Sequence, residues 1–262
     1  MPNDLAAAAA LLDWNLLGGF LLTLTRLGLA LAFVPLPGVK SAPEMARVVL
    51  IVSMAAAIVP ALPQVQSVPA TAGSFVKAMA GEAAYGLAVG MVVAFLGEVL
   101  TFAMQMFSLQ AGYSYASSID PNSEADSGVL LVFALLCGNL LFFSFGGHRL
   151  IIRAFARSLE VWPVGGGAVN PAWGDVITRL GASMFELSLR LGLPVAGLLL
   201  LAEIALGVVS RLQAQLQLLS LSFPVKMLGT VVTLAVLAPL WVAIYQRAFA
   251  TSFVALERML GR

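Results

Sequence analysis

The chain has 262 residues, of which 60% are hydrophobic and only 10% charged, and its mean hydropathy is +0.97. Soluble domains are about 45–50% apolar and about 25% charged, and a compact core could not bury this much apolar side chain. We therefore expect a membrane protein or a subunit of an apolar assembly. The net charge of +1 gives no electrostatic footprint for nucleic acid, and the single cysteine, Cys137, excludes an internal disulfide and a cysteine-based metal cluster.

Six apolar segments follow one another along the chain, separated by connectors that are rich in proline and glycine. A helix that spans the hydrocarbon core needs about 20 residues, which the second segment does not reach. The pattern predicts an all-α protein with membrane-associated helices. The segments are Trp14–Leu36, Val48–Leu62, Ala83–Phe107, Val129–Gly147, Leu191–Val209 and Met227–Tyr245, and the main connectors are 34–44, 62–74 and 161–175.

Three of these segments contain a charged residue: Arg26 in the first, Glu98 in the third and Glu203 in the fifth. A charge near the middle of a bilayer costs at least about 2.5–3.5 kcal/mol, so we expect these side chains to face protein or water. They could be buried inside an assembly, or they could be the coupling charges of a stand-alone secondary transporter. A transporter would also show inverted repeats, and we see no convincing internal repeat.

The third segment combines carboxylates with glycines. Glu82 and Glu98 stand near the two ends of the stretch G-E-A-A-Y-G-L-A-V-G-M-V-V-A-F-L-G-E, and Gly86 and Gly90 form a small-xxx-small pair that lets helix backbones approach closely. Close helix packing is the favoured interpretation of this pattern, and a proton-carrying Glu98 is the alternative.

A polar stretch at 110–128 carries three acids and no base, and it contains D-P-N-S, a typical turn sequence. It could be a solvated turn, a binding or catalytic site, or a movable part. A catalytic pair of Asp120 and Asp126 has no supporting residues, and the sequence has none of the common nucleophile, zinc or nucleotide motifs, so we predict no enzyme. Just before the stretch, packing or a deformable seal could explain Met104, Met106 and Phe107.

Three arginines follow the fourth apolar segment: Arg149, Arg153 and Arg157. Their i, i+4, i+8 spacing places them on one helix face. The face could bind lipid headgroups or an acidic partner, or it could be the ordinary basic flank of a membrane helix. The single histidine, His148, has no carboxylate or second histidine nearby in sequence, which argues against a metal or acid–base role.

Several stretches, taken in order, resemble the FliR family of flagellar export-gate proteins. The first is L-T-R-L-G-L-A-L-A-F-V-P-L-P-G-V-K-S-A-P-E-M-A-R, with that family's Arg, two Pro and basic residue (Arg26, Pro35, Pro43 and Arg47). The stretch A-L-G-V-V-S-R-L-Q-A-Q-L-Q-L-L-S-L-S-F-P-V-K resembles the family's last inter-helix turn and that of its small partner FliQ, although Ala214 and Leu216 replace a frequent Pro and Asn. Four further stretches that resemble the family lie between the first and the last one, in this order: G-E-A-A-Y-G-L-A-V-G, Q-A-G-Y-S-Y-A-S-S-I-D-P, L-F-F-S-F-G-G-H and S-L-E-V-W-P-V-G.

The resemblance implies a protein of type III secretion, related to injectisome proteins of the SpaR/YscT type. It implies membrane-associated helical hairpins in a helical hetero-oligomer, with a FliP-like part at 1–165 and a FliQ-like helix pair at 166–262. The implied location is the bacterial inner membrane at the centre of the flagellar basal body, partly displaced toward the periplasm. The implied partners are FliP-type and FliQ-type subunits, an FlhB-type protein, unfolded flagellar export substrates and lipid, with no nucleic acid, metal or cofactor.

The function implied by the resemblance is a non-enzymatic export channel, closed by a plug at 110–128 that has Gly112 and Gly128 as hinges. The expected plug residues are Gln110, Gly112, Tyr113, Tyr115, Asp120, Pro121, Glu124, Asp126 and Gly128, with Met104, Met106 and Phe107 as a possible seal. The expected buried charges and packing residues are Arg26, Glu82, Gly86, Gly90, Glu98 and Glu203, and a partner-facing turn is expected to include Arg211, Pro224 and Lys226.

Overall fold

The computed structural model describes residues 14–33, 44–61, 68–69, 71–113, 128–166, 171–212 and 218–260. Within these ranges every regular element is a helix, which confirms the all-α prediction. The α-helices are α1 (Trp14–Ala32), α2 (Glu44–Ile58), α3 (Ala72–Ala111), α4 (Val129–Ser144), α5 (Gly147–Val161), α6 (Ala172–Leu212) and α7 (Leu218–Met259), and a 3₁₀ turn at Val59–Ala61 follows α2.

Four of the described helices are long and apolar enough to cross a membrane: α1, α3, α6 and α7. Helices α4 and α5 together pass the same criterion as one broken span, whereas α2 is too short. The six apolar segments of the sequence therefore correspond to α1–α4, α6 and α7. Helices α3, α6 and α7 have 40, 41 and 42 residues and extend well beyond the apolar segments that predicted them.

The early part of α6 shows why apolar content underestimates helix length. Polar residues interrupt this part, but its buried residues recur at spacings of seven and four, as one face of a helix requires. We expected a loop through residue 175 and an apolar segment only from Leu191, because we followed continuous apolarity rather than helical periodicity. The residues of the buried face are Trp173, Leu180, Met184, Leu191 and Val195.

Two compact units make up the chain. Unit 1 contains residues 1–94, 146–180 and 252–262, and unit 2 contains residues 95–145 and 181–251. Both units are assembled from separate parts of the sequence. The sequence predicted a boundary between residues 165 and 166 from likeness to partner subunits. The two units are defined by packing within the chain and do not test that boundary, so it stays a prediction.

In unit 1, α1 and the first half of α3 approach each other closely at two glycines. A Cβ atom placed on Gly86 would lie 2.4 Å from the carbonyl oxygen of Arg26, and one on Gly90 would lie 2.7 Å from that of Leu29. Contacts this short leave no room for a side chain larger than hydrogen. The small-xxx-small pair therefore sits at a backbone-to-backbone contact, as its sequence pattern suggested.

In unit 2, α4 packs against α7 through aromatic side chains. The Tyr245 hydroxyl donates a hydrogen bond to the carbonyl oxygen of Gly138 at 3.2 Å, and both residues belong to this unit. The Phe133 and Trp241 rings meet edge to face with their centroids 6.0 Å apart. These contacts fix α4 against α7 just after the polar stretch at 110–128.

Replacing Gly86 by alanine should destabilise unit 1, because the added methyl group meets a backbone carbonyl that cannot move away. Overpacking of this kind costs about 1–3 kcal/mol, and each kcal/mol lowers the melting temperature of a chain of this size by about 2–4 °C. Gly97→Ala is the matched control, since it lies in the same helix with no atom within 4 Å of the added group. Thermal unfolding of the purified chain in detergent measures both variants, and equal melting temperatures would contradict the packing argument.

Candidate functional site

Unit 1 contains a buried ion pair between Arg26 of α1 and Glu82 of α3. The Nε atom of Arg26 donates a hydrogen bond to Oε2 of Glu82, and the two residues are only 2% and 1% exposed. Each charge would be costly alone in an apolar interior, so each residue requires the other. The pair therefore fixes the position of α1 along α3.

The remaining polar atoms of the pair are bound by the end of α5 and the residues after it. Nη1 of Arg26 donates to the Ser158 hydroxyl at 3.2 Å, and Nη2 donates to the carbonyl oxygen of Trp162 at 2.9 Å. The Gly165 amide donates to Oε1 of Glu82 at 2.9 Å. Both side chains are thus hydrogen-bonded on more than one side, which is the condition under which buried charges are tolerated.

Aromatic rings surround the ion pair. The Arg26 guanidinium lies 5.2 Å from the centre of the Tyr85 ring, and the Tyr85 ring meets Trp173 edge to face at 5.3 Å. Trp173 also contacts Trp162 and donates a hydrogen bond from Nε1 to the carbonyl oxygen of Met259 at 3.2 Å. The cavity among these groups has a volume of about 10 Å³, enough for one water molecule and not for a substrate. The arrangement is therefore suited to holding helices rather than to catalysis.

The sequence predicted Arg26 and Glu82 as buried charges, but it did not pair them with each other. It also missed the roles of Ser158, Trp162 and Gly165, although all three lie in the stretch S-L-E-V-W-P-V-G. A usable signal was present, because opposite charges on two apolar helices of one chain are expected to meet. Nothing in the sequence indicated that the backbone after α5 would supply the other hydrogen bonds.

The other two charges of the apolar segments lie in unit 2. Glu98 is exposed on α3, and Glu203 on α6 forms an ion pair with Lys226 of α7, with Nζ and Oε1 2.8 Å apart. The Glu203 side chain is 59% exposed and the Lys226 side chain 14%. Within the described chain, then, Glu203 and Lys226 connect the two helices of the C-terminal hairpin, while a proton-carrying role for Glu98 stays a hypothesis.

The polar stretch at 110–128 leaves α3 through a glycine cap. Gly112 has a φ of 83°, and the amide of Tyr113 donates to the carbonyl oxygen of Ser108 at 3.0 Å. This is the hydrogen bond of a Schellman motif, which requires a left-handed residue at the Gly112 position. The cap stops α3 and directs the chain away from the helix axis.

Two further contacts hold the ends of the stretch. The Tyr113 hydroxyl donates to the carbonyl oxygen of Met227 on α7 at 3.2 Å, and burial raises the pKa of Tyr113 above its usual value near 10. At the other end, a Cβ on Gly128 would lie 3.1 Å from the Ser108 hydroxyl. Both ends of the segment 114–127 are therefore held at the last turn of α3.

The structure describes only part of the predicted plug. Gln110 is exposed on the last turn of α3, and Gly128 immediately precedes α4. Gly112 and Tyr113 form the cap described above. The predicted plug residues Tyr115, Asp120, Pro121, Glu124 and Asp126 lie outside the described residues.

The residues of the possible seal have different environments. Met104 and Phe107 are buried within the chain at 1% and 0% exposure. Met106 is half-buried, and its sulfur would lie 3.1 Å from a Cβ on Gly192 of α6. These environments favour ordinary packing for Met104 and Phe107, and leave Met106 as the member with accessible surface.

The predicted partner-facing turn is shorter than expected. Helix α6 includes Arg211, which is exposed, and α7 already includes Pro224 and Lys226. We expected a turn throughout 211–226, but only 213–217 lie between the two helices. Proline near the beginning of a helix in an apolar setting is tolerated, because neighbouring groups can satisfy the carbonyl that it leaves unpaired.

Within the described ranges, no group of three or more His, Cys, Asp or Glu residues could hold a metal ion.

The model of the family described as "Bacterial export proteins, family 1" matches residues 17–252. The chain belongs to the FliR family of bacterial export proteins. Its membership confirms the resemblance seen in the ordered stretches, and its four long apolar helices agree with a membrane protein.

Curated relatives match over most of their length. The flagellar biosynthetic protein FliR of Escherichia coli (strain K12) is 28% identical over 219 residues, 84% of each chain. The protein of the same name from Caulobacter vibrioides is 27% identical over 209 residues, 79% of this chain and 83% of the relative. That from Bacillus subtilis (strain 168) is 23% identical over 252 residues, 94% of this chain and 96% of the relative.

Replacing Glu82 by glutamine should destabilise the chain strongly, because Arg26 then keeps a buried charge without its counterion. Breaking a buried pair from one side costs about 3–5 kcal/mol. Glu186→Gln is the matched control, since it breaks the pair with Arg190, whose two side chains are exposed and which is worth about 1 kcal/mol or less. Thermal unfolding in detergent measures both, and the double variant Arg26→Met with Glu82→Gln should recover part of the loss. A Glu82→Gln chain as stable as the control would disprove the role of the ion pair.

Proposed function

We propose that the chain is a non-enzymatic subunit of the flagellar type III secretion export gate. In this proposal it forms part of the protein-conducting channel and of the plug that closes it, and unfolded flagellar subunits pass through. The family match from residue 17 to residue 252 is the observation that carries the proposal. The names of the relatives, which place them in flagellar biosynthesis, support it.

The exposed apolar surface supports a role within an assembly. Only 17% of the most apolar part of α6 and 22% of that of α7 are buried within the chain. Exposing this surface to water would cost about 25 cal/mol per Å², so it must contact lipid or other apolar subunits. We assign these contacts to FliP-type and FliQ-type subunits, an FlhB-type protein and the inner membrane at the centre of the basal body, with the assembly partly displaced toward the periplasm.

An apolar groove in unit 2 supports the same assignment. It has a volume of about 320 Å³ and lies between α4 and α7. Its lining includes the first residue of α4, which directly follows Gly128. Its lining includes Val129, Phe133, Leu234 and Trp241. A neighbouring subunit could fill such a groove with apolar side chains, and this would bring its contact close to the predicted plug.

The anchored ends of the segment 114–127 support the plug. A channel for polypeptides must stop ions when empty, which requires an obstruction that can be displaced without losing its attachment. The Gly112 cap, the Tyr113–Met227 hydrogen bond and the contact of Gly128 with Ser108 supply the attachment. In the proposal the polar segment between them supplies the obstruction, with Tyr115 adding bulk.

The arrangement of charges argues for a channel subunit over the alternative of a stand-alone transporter. A coupling residue must change its protonation or its ion during transport. Arg26 is instead fixed by Glu82 and two further acceptors, and Glu203 is paired with Lys226. Two of the three candidate coupling charges are thus used in connecting helices, while the third, Glu98, is exposed on α3.

Deleting residues 114–126 should leave the subunit able to assemble but make the membrane leaky to ions. The deletion is geometrically tolerable, because both ends of the segment lie at Ser108. A glycine and serine segment of equal length is the control, and it should block conductance only in part because it lacks the tyrosine and the proline. Planar-bilayer conductance of the purified complex measures the effect, and an assembled deletion variant with unchanged conductance would refute the plug.

Co-purification separates the gate from the transporter. The gate predicts a stable complex with two other apolar proteins, of FliP and FliQ type, when all three are expressed together. A monomer that takes up a solute after reconstitution alone would favour the transporter and contradict the proposal.

A further inference from the structure

Helix α5 presents two chemically distinct faces. Its inner face is buried in unit 1 and consists of Ile151, Ala154, Phe155 and Ser158, of which Ser158 binds Arg26. Its outer face carries the arginines predicted to share one side of a helix: Arg149 and Arg153 are exposed and Arg157 is half-buried. At 1.5 Å per residue these three positions span about 12 Å along the helix.

The three guanidinium groups have no ion-pair partner among the described residues. The described chain forms ion pairs at Arg26, Arg190 and Lys226, and none at Arg149, Arg153 or Arg157. Glu160 is the only acid on the same helix, and it stands beyond the arginines. Like charges four residues apart repel each other on a helix, so an anion that bridges them would stabilise the face.

The position of α5 in the chain suggests where that anion comes from. Only Phe145 and Gly146 separate it from α4, whose 16 residues carry no charge. Gly146 has a φ of 76°, which ends the straight path of α4. Three arginines are costly in hydrocarbon, so an apolar helix followed at once by this face places the arginines at the level of the lipid headgroups.

The apolar residues of the outer face favour a membrane over an acidic protein in water. Ile152 stands between Arg149 and Arg153 and is 53% exposed, and Ala156 is exposed beside Arg157. An aqueous acidic segment would leave Ile152 in a polar contact. At a membrane surface the isoleucine can reach the acyl boundary while the neighbouring arginines bind phosphate.

We propose that the outer face of α5 binds the phosphate groups of anionic phospholipids. Guanidinium groups donate paired hydrogen bonds to phosphate oxygens, and a row of three along 12 Å spans more than one headgroup. This surface is independent of the plug and of the proposed export function, because it requires only that α5 lie at the membrane surface.

The test compares the lipids bound by the full chain and by charge variants. Each protein is purified in detergent, incubated with mixed micelles containing equal amounts of phosphatidylglycerol and phosphatidylcholine, purified again, and its bound lipids quantified by mass spectrometry. The chain should retain phosphatidylglycerol preferentially. The triple variant Arg149→Gln, Arg153→Gln, Arg157→Gln should lose this preference at least tenfold, and the corresponding lysine triple should keep most of it.

The matched control is Arg179→Gln, Arg247→Gln, Arg258→Gln, which removes the same charge from three exposed positions on α6 and α7. An equal loss in both triple variants, or no loss in either, would overturn the proposal. So would a glutamine triple that keeps its preference for phosphatidylglycerol. If the glutamine triple loses helical content by circular dichroism, the three single variants decide: each must lower the preference at least twofold.

Discussion

Unit 1 depends on the pairing of Arg26 with Glu82. Neither charge could remain in an apolar interior without the other, and together they still require hydrogen bonds from further groups. Ser158, Trp162 and Gly165 provide these, so α5 and the residues after it must lie against α1 and α3. The close glycine contacts at Gly86 and Gly90 depend on the same arrangement, because they hold the α1 backbone at Arg26 and Leu29. The polar contacts thus fix the position of α1 along α3, which apolar packing alone would not specify.

The helices could be predicted from the sequence, because apolar segments of this length have few other structures in a membrane. Their lengths could not be predicted from apolarity alone: the start of α6 is helical through one periodic face, with Trp173 and Leu180 buried among polar neighbours. The sequence predicted Gly112 as a hinge and not as a helix cap; the structure shows the cap, and the hinge stays a prediction. The pairing of Arg26 with Glu82 joins residues 56 positions apart, and no local pattern specifies a contact at that separation.

Two of the ion pairs among the described residues have different consequences. Arg26 and Glu82 are enclosed, whereas Glu203 and Lys226 connect α6 to α7 with the carboxylate largely exposed. An exposed pair contributes little stability in water, but its value rises where lipid or another subunit excludes water. In the proposed gate, exclusion of water by lipid or a neighbouring subunit would therefore strengthen the Glu203–Lys226 pair more than the Arg26–Glu82 pair, which is already enclosed within the chain.

The placement of Tyr113 connects that argument to the plug. Its hydroxyl binds the backbone of Met227, the residue after Lys226, so the cap of α3 is attached next to the Glu203–Lys226 pair. A displacement of α7 at this level would therefore pull on the cap, and a displacement of the cap would strain the hydrogen bond to α7. In the proposed gate, movement of the plug and packing of the C-terminal hairpin are coupled by one hydrogen bond. The coupling uses a backbone acceptor, so it depends on the identity of Tyr113 and not on that of Met227.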